Sequence, residues 1–335
     1  MNRPPYRTVI KPYGRALVAL AAQRPEILCL SGDLTRQCEV DLFQERFPDR
    51  FINGGMAEAN LAGMAGALAR RGFQPFVHTF GVFATRRCYD QVAMAIAYPG
   101  LPVRLIGFMP GISSPGGPSH QAIDDVALMR ALPGMTVLDP ADAVEVEQAV
   151  AVLAEVPGPA YLRLKRGEVP VIFGSGHQLE PGRAGTIAAG SDVALIASGM
   201  GVAIALSARD ALGELGISAS VTSVSTLKPL DGAHVVAAVS GKRAAITVEN
   251  HSIVGGLGSA VAEVLAEAGL GVPLRRIGIR DTFAEGARSA EYLFGKYGLS
   301  TDSVLAAAWQ SLGRPGAPPP ARPVTIARPG TYSPV

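Results

Sequence analysis

Residues 53–69 hold one acidic side chain, Glu58, at the mouth of a run built almost wholly from small and apolar residues. Removing a carboxylate from water without a cationic partner is costly, so a Glu buried in this way is favoured in its protonated form. A protonated Glu beside a bound heterocycle can share its proton with a ring nitrogen, which is general acid chemistry. The same residue also suits an ordinary helix start, where the dipole favours an acid.

Three other clusters carry chemical potential. His78-Thr79-Phe80-Gly81-Val82-Phe83-Ala84-Thr85-Arg86 follows an apolar run at residues 75–77. Two Phe residues three apart, with a Gly between them, can set both rings on one side of a turn where a flat heteroaromatic ring stacks. A plain core role competes with that reading. A glycine-rich loop, residues 111–121, ends in His120 ahead of a helix expected from about residue 122. His120 there suits hydrogen bonding to a hydroxyl or carbonyl oxygen, or a structural cap. Arg130, and the run Arg163-Leu164-Lys165-Arg166-Gly167 at a strand end, offer guanidinium groups for phosphate or carboxylate, or are ordinary solvated charges. The chain carries neither a Gly-x-x-x-x-Gly-Lys loop nor a Gly-x-Gly-x-x-Gly after a strand. Gly32-Asp33 with Asn53 imitates the Asp and Asn that hold a diphosphate through a metal ion, but Leu34 follows Asp33 and Asn53 falls too early. No metal site is assigned to this chain.

Short apolar runs alternating with Ala-rich stretches at helical spacing predict an α/β protein of two domains, each a mainly parallel sheet flanked by helices. The expected strands of the first domain lie at residues 27–30, 75–77, 103–107, 136–138 and 161–164, with helices at 15–23, 58–71, 88–97 and 143–154. A Gly- and Pro-rich connector follows. The expected division is a first domain at 1–170, a linker at 171–190, a second domain at 191–312 and a Pro/Arg-rich tail at 313–335. The second domain has expected strands at 193–196, 218–221 and 244–248, with helices near 202–213, 233–239 and 258–268.

Composition narrows the class further. Across 335 residues, 48% hydrophobic and 17% charged content describes a globular chain, and a net charge of +2 gives no footprint for nucleic acid or an anionic membrane. Cys29, Cys38 and Cys88 lack Cys-x-x-Cys spacing, so neither a disulfide framework nor a zinc site is indicated, and a reducing cytoplasm is the expected setting. The first residues lack a signal-peptide core and no apolar run reaches membrane-spanning length, so a soluble protein is expected.

Together these residues resemble the pyrimidine-binding and C-terminal domains of transketolase, above all the small subunit of split transketolases, over nearly the whole chain to about Leu312. Gly55-Met56-Ala57-Glu58-Ala59-Asn60 stands where the family has Gly-x-Ala-Glu-Gln-Asn, which implies that Glu58 activates thiamine diphosphate by bonding to its aminopyrimidine nitrogen. Ser31-Gly32-Asp33-Leu34 matches Ser-Ala-Asp-Leu, whose Asp lies near the thiazolium. Thr79-Phe80-Gly81-Val82-Phe83 matches the Thr-Phe-x-x-Phe that stacks the pyrimidine, with Arg86 at the family's third position, Tyr in full-length transketolases and Arg in deoxyxylulose-phosphate synthases. Tyr89-Asp90-Gln91, residues 125–130, 227–231 and 249–258 also read as family sequence.

The resemblance implies cofactor-binding roles for Asp33, Glu58, Phe80, Phe83 and Arg86, catalytic roles for Glu58 and His120, and substrate binding by His120, Arg130 and Arg166. It also implies that a separate large subunit supplies the diphosphate site with its Mg²⁺ or Ca²⁺, in an α2β2 heterotetramer built on a dimer of this chain. The departures concern substrate. The family's Gly-Glu-Asp-Gly-x-Thr-His-Gln is Ser114-Pro115-Gly116-Gly117-Pro118-Ser119-His120-Gln121 here, so Gly116 replaces an Asp that reads the hydroxyl next to the donor carbonyl. A phosphate-contacting His upstream falls at Met109. The expected activity is two-carbon ketol transfer from a ketose to an aldehyde. The alternatives are a related transferase using pyruvate or an unphosphorylated sugar, and the beta subunit of a 2-oxo acid dehydrogenase, which the match at 249–258 disfavours.

Overall fold

Runs such as Ile27–Ser31 and Arg104–Phe108 are buried along their whole length, as strands covered by helices on both faces must be. The computed structural model describes residues 6–321. In chain order its first strands are β1 (Thr8–Ile10), β2 (Ile27–Ser31), β3 (Phe51–Asn53), β4 (Gln74–Phe80), β5 (Arg104–Phe108), β6 (Thr136–Leu138), β7 (Ala160–Leu164) and β8 (Glu168–Pro170). The rest are β9 (Gly185–Ala188), β10 (Val193–Ala197), β11 (Ala219–Ser223), β12 (Thr226–Lys228), β13 (Ala244–Ser252) and β14 (Leu274–Ile279).

The first sheet has the order β12-β6-β7-β5-β4-β2-β3, parallel throughout except where β12 lies against β6. The second has the order β14-β13-β10-β11-β9, parallel except between β9 and β11. Strands β1 and β8 form a small antiparallel pair. The two-domain α/β architecture is as expected. Two details are not: β9 takes up part of the segment expected as a linker, and β12, from the second half of the chain, completes the first sheet. Composition hides both, because pairing partners and not local sequence make these short segments strands.

The small residues of the Glu58–Arg70 helix have a packing reason. A Cβ on Gly66 would come within 2.4 Å of the Ala95 carbonyl oxygen, so this helix and the segment at 92–97 approach through bare backbone. That segment, expected as a plain helix over 88–97, is a 3₁₀ turn at Arg86–Cys88, an α turn at Tyr89–Gln91 and a π turn at Val92–Ala97. The helix expected at 15–23 is Pro12–Ala21, starting with a proline where proline fits. Of the expected tail, residues up to 321 fold back on the Thr301–Ser311 helix, with the Ala321 N–H donating to Asp302 at 2.8 Å. The remainder, with Arg322 and Arg328, lies outside the described residues. Among the described residues no helix is long and apolar enough to cross a membrane.

Strands β2, β4, β5 and β7 are neighbours in the first sheet, and their C-terminal ends open on one edge. Parallel sheets gather ligand-binding loops at that edge. Here it presents the turn at Asp33, the Phe80–Phe83 turn, the loop from Met109 to His120 and the basic run after Leu164.

Candidate active site

Glu58 is the first residue of its helix and is 3% exposed. The expectation that it lacks a cationic partner is overturned. Nη1 of Arg87 donates to Glu58 Oε1 at 3.1 Å and to Oε2 at 3.0 Å, while the Thr79 hydroxyl donates to Oε1 at 3.4 Å. Strand β4 runs through Phe80, further than the sequence suggested, so Thr79 and His78 point to opposite faces of it. Thr79 meets Glu58. His78 turns the other way, where the Tyr13 hydroxyl and His78 Nε2 lie 2.6 Å apart and Nδ1 lies 3.0 Å from the Leu30 carbonyl.

Phe80 ends the strand and Phe83 lies in the next turn, with ring centroids 6.1 Å apart and planes 21° from parallel. The turn fits over β5 because Gly107 has no side chain: a Cβ there would come within 2.4 Å of the Tyr161 hydroxyl and 2.9 Å of Gly81 Cα. His120 stands edge-on to both rings, 5.3 Å from Phe83 and 6.3 Å from Phe80. It ends a single 3₁₀ turn, Pro118–His120, and the next helix begins only at Asp125, so the expected helix start at His120 is corrected. Ser119 Oγ lies 2.9 Å from His120 Nδ1. A Cβ at Gly116 would sit 3.1 Å from His120 Cβ, so any side chain restored at that position presses on the histidine.

The loop carrying His120 is braced by the second domain, which no local pattern announces. Asn250 accepts from the Ile112 N–H at 3.0 Å and donates to the Pro110 carbonyl at 2.9 Å. Gln121 donates to the Ser114 and Glu285 carbonyls, each at 3.1 Å, and the Ala287 N–H donates to Pro115 at 3.0 Å.

The remaining candidates divide. Asp33 lies in the turn after β2 with a positive φ of 64°, and Asn53 donates to it at 3.3 Å, so the pair set aside as a metal site does meet. Among the described residues no three His, Cys, Asp or Glu side chains cluster to hold a metal. Arg86 does not stack on the phenylalanines: it donates to Asp124 at 2.8 Å and to the Gln121 carbonyl at 2.6 Å, clamping the segment after His120. Its neighbour Arg87 takes the stacking position, its guanidinium carbon 3.9 Å over the Phe83 ring. Arg130 turns toward the second domain. Its guanidinium donates to the Gly255 carbonyl at 2.7 Å and to Glu263 at 2.8 Å, tying it to that domain. Arg166 is exposed at the end of β7.

The comparisons agree with this geometry. The model of the transketolase pyrimidine-binding domain matches residues 6–171 and that of the transketolase C-terminal domain matches 182–304. A 6-deoxy-6-sulfo-D-fructose transketolase subunit from Clostridium sp. is 40% identical over 88% of this chain and 92% of its own length. A protein from Methanocaldococcus jannaschii described as a transketolase C-terminal section is 37% identical over 89% of this chain and 94% of its own. Among solved structures, a split-gene transketolase described as an inactive β4 tetramer superposes with a TM-score of 0.84 at 41% identity, covering 90% of this chain and 97% of that one. With the two domain models matching 6–171 and 182–304 in chain order, and with relatives 40% and 37% identical over most of the chain, the chain belongs to the transketolase family.

Proposed function

We propose that this chain is the small subunit of a two-component thiamine diphosphate transketolase that moves a two-carbon ketol unit from a ketose donor to an aldehyde acceptor. The observation that carries the reading is the joining of Glu58, Phe83 and His120 in one place, with a flat, nitrogen-bearing group, the Arg87 guanidinium, seated between Glu58 and the Phe83 ring. Those residues fit an aminopyrimidine by shape and by hydrogen-bonding chemistry. When bound, thiamine diphosphate supplies a nucleophilic thiazolium carbon.

Once the ring is seated, the Glu58 carboxyl group would bond to its ring nitrogen, Phe80 and Phe83 offer the stacking surface, and Asp33 lies along the same edge. His120 binds an oxygen of the donor. Arg166 holds an anionic acceptor, and Arg86 supports the cofactor pocket through the 121–124 segment. A separate large subunit supplies the diphosphate site with Mg²⁺ or Ca²⁺, in an α2β2 heterotetramer; the β4 assembly described as inactive for the split-gene relative favours such a requirement.

Gly116 favours a donor outside the ordinary set, because the site forgoes a side chain that would hydrogen-bond a donor hydroxyl. The sulfosugar-processing relative points the same way. The test is reconstitution with the large subunit and a screen of phosphorylated, sulfonated and unmodified ketoses together with pyruvate. Turnover should need both chains, and Glu58→Gln should reduce it by orders of magnitude with the fold intact. Turnover by this chain alone, or near-normal rates in Glu58→Gln, sinks the reading.

A further inference from the structure

Arg87 has no part in the chemistry above, yet it occupies the centre of the site. Its Nη1 donates to both oxygens of Glu58, at 3.1 and 3.0 Å, and its guanidinium carbon lies 3.9 Å over the Phe83 ring. We propose that Arg87 holds the place of the cofactor's pyrimidine ring and is displaced when that ring binds. This rests on the cofactor site proposed above.

A guanidinium is flat, delocalised and studded with N–H donors, and it stacks on aromatic faces. An aminopyrimidine bonded to Glu58 and stacked on Phe83 would use the same carboxyl group and the same ring. The two groups therefore compete, and only one of them can be seated.

The burial of the pair is lopsided in the way an exchange needs. The Glu58 side chain is 2% exposed and that of Arg87 45%. Arg87 can withdraw into water at little cost to itself, because its side chain is already nearly half exposed. Glu58 cannot follow it. Left buried without a donor, its carboxylate loses more than the arginine does, so it is best served by a cation until another donor arrives. The turn that carries Arg87 is irregular, passing from 3₁₀ to α to π geometry between Arg86 and Ala97, and such segments often mark a hinge. Arg86, bonded to Asp124 and Gln121, anchors the residue just before it, so the movement falls on the Arg87 side chain.

The proposal is tested on the full chain without its partner, since Glu58, Phe83 and Arg87 all belong to it. The probe is the free hydroxymethyl aminopyrimidine of thiamine, titrated into the chain and followed by nuclear magnetic resonance. Arg87→Ala should bind it about fivefold more tightly than wild type, the ratio that loss of one modest competing ion pair produces. Arg87→Lys, which keeps the charge but not the flat face, should fall between them. Equal or weaker binding by Arg87→Ala overturns the proposal, and Phe83→Ala shows what has failed. If Phe83→Ala abolishes binding, the pyrimidine site stands and only the role of Arg87 falls. Binding that is absent throughout, or indifferent to Phe83, means that the site is misplaced and the proposal falls with it.

Discussion

His78 and Thr79 are adjacent polar residues on one strand, and the alternation of β4 gives them opposite duties: Thr79 bonds Glu58, and His78 locks Tyr13 and β2 together. Burial lowers the His78 pKa from 6.5 to about 4, although bonds to the Leu30 and Phe76 backbones work against that shift. The folded chain thus binds fewer protons at His78 than the unfolded chain does across the interval between those values. Stability from this group is complete above pH 6.5 and is lost as pH falls through about 4. Urea unfolding across that range should show wild type losing up to about 3 kcal/mol more than His78→Gln; parallel profiles would remove His78 as the cause. At this scale the sequence singled out Glu58, Phe80 and Phe83, which the structure gathers at one end of the first sheet, with Phe80 also packed into the core. It was a poor guide to Arg87, which lies 29 positions from its carboxylate partner and beside a second arginine with a different task.

Elements decide whether those residues meet. The loop between β5 and the Asp125–Ala131 helix has little regular structure of its own, and its shape comes from β13, whose Asn250 amide satisfies both the Ile112 N–H and the Pro110 carbonyl. Most of the strands and helices expected from the sequence lie within a few residues of their places because apolar periodicity is local, whereas strands such as β3, β12 and β14 carried no such signal. The bracing of this loop was not, since Asn250 is about as far along the chain as β13 allows and only the tertiary register brings it there. Asn250→Ala leaves a buried donor and a buried acceptor unpaired, which should cost about 1–3 kcal/mol. The change should also raise amide hydrogen exchange at residues 109–121 more than in the first sheet. Stability loss with no local rise in exchange would show that Asn250 packs the interface without holding the loop.

At the scale of the whole molecule, a buried cation, Arg163, lies where the two domains meet. Arg163 donates to Asp125 at 2.8 and 3.0 Å, to Asp139 at 3.0 Å and to the Asn250 carbonyl at 3.0 Å, and Asp139 accepts from Ser198 of the second domain at 2.9 Å. Burial would raise the Asp125 pKa, but Arg163 and the nearby His251 hold it below the usual carboxylate range. The sequence placed Arg163 in a basic run suited to anions. The partners that claim it are the chain's own carboxylates, brought there by the parallel pairing of β6 and β7 and by the helix that starts at Asp125. Arg163→Met should therefore do more than delete a contact: it strands two buried acids, at a cost of about 3–5 kcal/mol. Arg163→Lys should recover little, because a single ammonium cannot reach two carboxylates and a carbonyl in the fork that a guanidinium spans. Removing one stranded acid as well, in Arg163→Met with Asp125→Asn, should return part of the loss by relieving the uncompensated charge. Unfolding followed in urea separates these outcomes. If the double variant is no more stable than Arg163→Met, the arginine serves the domain junction by packing, and the charge balance at its centre is not what holds the two halves together.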